Sequence, residues 1–117
     1  MTKYIFSFFL LVIVIGSISS CKKKTADTFD CSAAYTYSTD IKPIMEASCA
    51  TPGCHGNGAK QGGFDLSNYN GCKAAKDRLD GAVQHLSGYA PMPDGAPKLS
   101  DANIQKISCW VKNGCLQ

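Results

Sequence analysis

Residues 31–117 hold only 12 Leu, Ile, Val and Phe side chains in 87 positions, yet they hold six cysteines. An aliphatic content below roughly 20% leaves a highly charged chain disordered. This segment is not highly charged: eight Lys and Arg face seven Asp and Glu, a net charge of +1. Something besides aliphatic side chains must hold it together. Small scaffolds use disulfides, a metal or a bound prosthetic group for that purpose. The near-neutral balance offers no basic face for nucleic acid.

The cysteines sit in an exported chain. Lys3 precedes an apolar run at residues 4–15 (YIFSFFLLVIVI), too short to cross a bilayer as a helix and suited to a signal peptide. Ile18, Ser19 and Ser20 then lead into Cys21, a pattern that resembles a bacterial lipobox. We therefore expect a signal peptide at 1–20, lipidation of Cys21, a tether over 21–34 and one domain over 35–117. KKKTADTFD at 22–30 is polar and without period, as a tether should be. Lys22 is not the aspartate that retains enteric lipoproteins at the inner membrane, so the expected place is the bacterial cell envelope, with the outer membrane favoured.

The domain reads as all-α with long loops. Thr39 or Asp40 offers an N-cap, Pro43 falls in the first turn, and Ile41, Ile44, Met45, Ser48 and Cys49 make one stripe. Five glycines between 53 and 63 end regular structure. Residues 72–86 suggest one or two short helices interrupted near Gly81, with Ala75, Leu79, Val83 and Leu86 on one side. A proline-rich loop follows at 88–98. A last helix has Ser100 as N-cap, Asp101 in its first turn, Ile104, Ile107 and Val111 as its stripe, and Gly114 as its stop.

The stripe of the first helix runs into CATPGCH, residues 49–55, where two thiols stand five positions apart with His55 directly after the second. Three chemistries fit the heptapeptide alone: covalent haem attachment, a Cys49–Cys54 disulfide, and zinc held by Cys49, Cys54, His55 and one more thiol. A c-type haem uses two thiols as thioethers and an adjacent histidine on the iron, usually as C-x-x-C-H. Here the spacer is longer by two, but Pro52-Gly53 suits the centre of a type II turn that folds the excess away. Met92, held between Pro91 and Pro93, sits on a stiff arm able to present a thioether.

Taken in order, YSTDIKPI at 37–44, CATPGCH, PMPDG at 91–95 and LSDANIQKISCW at 99–110 resemble the class I cytochromes c over residues 35–114. The resemblance implies a small cytochrome c-like fold wrapped around one covalently bound haem c. It makes Cys49 and Cys54 the thioether cysteines, His55 the proximal iron ligand and Met92 the distal one, with His85 as the alternative distal ligand. The longer spacer departs from the usual pattern, although CX4CH sites occur in multihaem cytochromes of sulfate-reducing bacteria.

With both axial positions filled, the implied function is an electron carrier rather than an enzyme. Its partners would be redox proteins of an extracytoplasmic electron-transfer chain, and the membrane through the N-terminal lipid. An open distal site would make it a haem enzyme or sensor instead. A haem-free, disulfide-stapled binding or structural lipoprotein is the other competing class. Cys31, Cys72, Cys109 and Cys115 remain, an even set open to three connectivities. The expected pairs are Cys31 with Cys115 and Cys72 with Cys109. Tyr35, Tyr37, Tyr69, Tyr89 and Trp110 are candidates either for lining a haem or for ordinary packing.

Overall fold

The computed structural model describes residues 25–56 and 58–117. The expected signal peptide and the expected lipidation site at Cys21 fall outside the described residues. Within them the fold is all-α, with four α-helices and no strand; an isolated bridge joins Pro52 to Gly56.

The chain enters through a π-helical turn, Tyr37–Ile41, which passes directly into α1, Lys42–Ser48. The helical path thus begins before the expected caps at Thr39 and Asp40. Asp40 works from inside the turn: its Oδ2 accepts from the Thr36 N–H at 3.1 Å, and its Oδ1 lies 3.5 Å from Lys106 Nζ. Pro43 falls in the first turn of α1, where its missing N–H costs no helical bond. Ile41, Ile44, Met45 and Cys49 are buried along one face, as their spacing requires.

Helices α2, Tyr69–Ala74, and α3, Lys76–Gln84, meet at Ala75. The break is therefore at Ala75 and not at Gly81, which lies buried inside α3. A Cβ at Gly81 would stand 2.5 Å from Tyr89 Cε1, so the glycine is there to let the tyrosine ring lie on the helix. Ala75, Leu79 and Val83 are buried on the inner face.

Helix α4, Asp101–Lys112, follows its local signals closely. Ser100 Oγ accepts from the Asn103 N–H at 3.3 Å, and Gly114 takes φ +89° just past the end. The Gly114 N–H reaches Val111 O at 3.2 Å and the Cys115 N–H reaches Trp110 O at 2.9 Å, the two bonds of a Schellman motif. Ile104, Ile107 and Trp110 are fully buried between α3 and the Tyr37–Ile41 turn. Each contributes about 1.5–3 kcal/mol of burial. Tyr37, Tyr69 and Trp110 cluster with ring centroids 5.5–6.5 Å apart, and the C-terminal tail is tied into them: Tyr37 N–H and Trp110 Nε1–H both donate to Leu116 O, at 2.9 and 2.7 Å.

The disulfide pattern corrects the expectation. Cys31 bonds Cys109, with Cα atoms 5.1 Å apart, while Cys72 and Cys115 are buried free thiols. The reason is the course of the chain before residue 35, which runs along α4 and brings Cys31 beside Cys109, while Cys115 is buried in the core cluster. Gln105 Nε2 donates to Asp30 O at 3.1 Å, Asn113 Nδ2 donates to Cys31 O at 3.2 Å, and Phe29 packs against the core. Residues 27–33 of the segment read as tether are thus held against the domain.

Candidate cofactor site

A cleft of about 930 Å³ lies between the CATPGCH loop, α3 and the 88–94 loop. Its size is near the upper end of the roughly 300–1,000 Å³ usual for small-molecule and cofactor sites. Cys49, Cys54, His55 and Met92 all line it, although Met92 is 37 residues beyond His55 in sequence. Leu66, Ala75, Leu79 and Val83 give it an apolar wall, and Phe64 stands beside them. Arg78, the chain's one arginine, is the cationic side chain at the cleft; its guanidinium lies 5.8 Å from the Phe64 ring centroid, and Asp77 and Asp94 are the nearby acids of the lining.

The four-residue spacer folds as its Pro-Gly pair suggested. The Cys54 N–H donates to Thr51 O at 3.1 Å and Gly53 takes φ +84°, the geometry of a type II turn with Pro52 and Gly53 at its centre. The His55 N–H then donates to Cys49 O at 3.1 Å, drawing the loop shut. Gly56 is pressed against the Ala50 backbone so closely that no Cβ fits. Two further bonds seat the loop: Gln61 N–H to Cys54 O at 3.0 Å, and Leu66 N–H to His55 O at 2.8 Å.

Cys49 ends α1 and is buried, whereas Cys54 is exposed; neither is in a disulfide. Burial, with Cys54 close by, pushes the Cys49 thiol up to about 11. His55 Nδ1 is 3.2 Å from Phe64 O, so Nδ1–H donates to that carbonyl and the Nε2 lone pair is left for a metal. Among the described residues no group of three His, Cys, Asp or Glu converges as a metal-binding set. The zinc reading of Cys49, Cys54 and His55 therefore has no geometric support.

Met92 is held by its backbone on both sides. Its N–H donates to Ala82 O at 3.1 Å, and its carbonyl accepts from His85 Nε2–H at 2.9 Å. His85 itself ends α3 in the left-handed region, φ +58°, with its N–H on Ala82 O and the Leu86 N–H on Gly81 O, a second Schellman motif. His85 does not line the cleft; the structure places it behind Met92, holding that residue's loop. Of the aromatic candidates, Tyr89 lines the cleft, while Tyr37, Tyr69 and Trp110 belong to the core cluster.

The sequence reading missed Arg78 and the positioning role of His85. A signal for the second existed: a helix ending near residue 84 has no glycine before Gly88 to take the left-handed position, so another residue must. No family model, no curated protein and no solved structure matches this chain.

Proposed function

We propose that this chain is a membrane-anchored, c-type monohaem cytochrome that passes single electrons outside the cytoplasm. The observation that carries the reading is the convergence of Cys49, Cys54, His55 and Met92 on one apolar-walled cleft of about 930 Å³.

The donor set fits a covalently bound haem. Cys49 and Cys54 would hold the group as thioethers, each thiol adding across one vinyl so that sulfur takes one carbon and the proton the other, with no oxidant needed. His55 offers Nε2 because Phe64 O holds Nδ1–H. Met92 offers its thioether from a backbone fixed by Ala82 and His85. When bound, the group supplies a one-electron iron couple, and a thioether ligand favours its ferrous form. Leu66, Ala75, Leu79 and Val83 would give that centre an apolar wall. With His55 and Met92 both holding the iron, the group would serve as a carrier of single electrons.

The test is to produce the chain with a c-type maturation system and record ferric spectra of wild type and Met92→Ala. Haem that resists acid–acetone extraction, with a long-wavelength methionine–iron band lost in the variant, is the expected result. Extractable or absent haem would leave the haem-free, disulfide-stapled lipoprotein. Covalent haem without that band in the wild type would favour an enzyme or sensor with an open distal site.

A further inference from the structure

The arm at residues 27–33 is fixed more firmly than a tether needs to be. The Asp27 N–H donates to Gln84 Oε1 at 2.8 Å, and Gln84, only 2% exposed, is itself held by Asp80 Oδ1 at 2.8 Å and Ser108 Oγ at 3.1 Å. Ser108 Oγ–H closes the network on Asp80 Oδ1. The bonds from Gln105 and Asn113 and the Cys31–Cys109 disulfide continue the attachment along α4.

The arm and the apolar wall of the cleft use different faces of α3. Ala75, Leu79, Ala82 and Val83 line the cleft, whereas Asp80 and Gln84 carry the arm. At about 100° per residue, the centres of these two sets are roughly 135° apart around the helix. The body of α3 therefore stands between the cleft and the chain that leaves toward the N-terminus. Cys21 is six residues before Asp27, and six residues reach at most about 20 Å.

We propose that the arm is an orienting strap: it fixes the anchored chain's exit across α3 from the cleft, so that the cleft faces away from the membrane and its redox partner is a water-soluble protein. The proposal rests on the lipid-anchored haem reading given above. A partner embedded in the same bilayer would meet the arm side, behind a helix and a disulfide, rather than the open loops at Gly53, Gln61 and Tyr89 that border the cleft.

The test uses the ascorbate-reduced, lipid-anchored holoprotein in bicelles doped with a gadolinium-chelating headgroup lipid, and reads relaxation of individual backbone amides. With α3 about 10 Å thick, the sixth-power distance dependence makes enhancement roughly tenfold stronger on the near side. Amides of 27–33 and 105–112 should be broadened, and those of 53–55 and 88–94 spared. The Cys31→Ser/Cys109→Ser variant should shrink that contrast. Gln84→Ala, which keeps the disulfide, should release Asp27 while preserving most of it.

Cleft-loop amides broadened as strongly as arm amides in the wild type would overturn the proposal, whatever the variants do. A chain that carries no lipid at Cys21 would also overturn the proposal, because the arm would then have no membrane to orient the cleft against. Absence of the haem absorption band would refute the haem reading and the redox partner with it, while the amide pattern, read with or without the group, would still decide the orientation.

Discussion

His85→Gly and His85→Ala separate two effects that coincide at this position. A non-glycine residue in the left-handed region, here at φ +58°, carries roughly 1 kcal/mol of strain. The hydrogen bond from Nε2 to Met92 O at 2.9 Å contributes about 1 kcal/mol. Glycine removes both, so the net change in stability should be close to zero. Alanine removes the bond and keeps the strain, so it should destabilise by about 1 kcal/mol. Both should loosen Met92 equally, which at 1.36 kcal/mol per decade is roughly a fivefold change in ligand exchange. The assays are thermal unfolding, and titration of the ferric protein with imidazole while the methionine–iron band disappears. We expect a near-native midpoint for glycine, a lowered one for alanine, and about fivefold tighter imidazole binding in both. Wild-type imidazole affinity in both variants would refute the argument that His85 positions Met92.

Gly56→Ala forces a Cβ onto the Ala50 carbonyl, so it should cost about 1–3 kcal/mol as overpacking and lower the yield of covalently attached haem, measured by haem stain against total protein. Cys31→Ser/Cys109→Ser opens a loop of 78 residues' separation; the chain-entropy relation gives about 4.5 kcal/mol, to be read as a lower urea midpoint. Burial pushes Cys72 up to about 12, helped by Cys49 and Asp65, and burial with Cys72 close by pushes Tyr37 up to about 12. Because the folded state keeps protons that the unfolded chain releases first, stability is fully present below about pH 9 and falls as pH rises toward about 12. Urea unfolding across that window should show the loss, and Cys72→Ala should flatten it. In the haem-free chain, mass-resolved alkylation near neutral pH should label exposed Cys54 well before buried Cys49.

What could be read from the sequence was what local chemistry decides. Ser100, the Ile104 and Ile107 stripe and Gly114 specify α4 within a few residues of themselves, and Pro52-Gly53 specifies its turn in the same way. Where distant contacts decide, the sequence misled. Asp40 looks like a cap but serves Thr36 and Lys106, the second of these 66 positions away. Gly81 looks like a helix break but is kept helical, with the Tyr89 ring covering it. The pairing of four cysteines needs the path of residues 27–33 over α4, which depends on Gln84, Gln105 and Asn113 as acceptors and donors. The cleft's thiols, His55 and Met92 were legible from the CATPGCH motif and the proline-flanked methionine, but its wall of Leu66, Ala75, Leu79 and Val83, from two separate stretches of chain, was not.

The central claim is that Cys49 and Cys54 are spent on one haem. Intact mass of the matured, denatured chain after alkylation without reductant tests it directly, with peptide mapping to place each modification. The account predicts one haem mass on the peptide holding Cys49 and Cys54, a Cys31–Cys109 cross-link, and neither of the two haem-binding thiols alkylated. A chain with no haem mass, and with Cys49 and Cys54 either alkylated or joined in a disulfide, would contradict it.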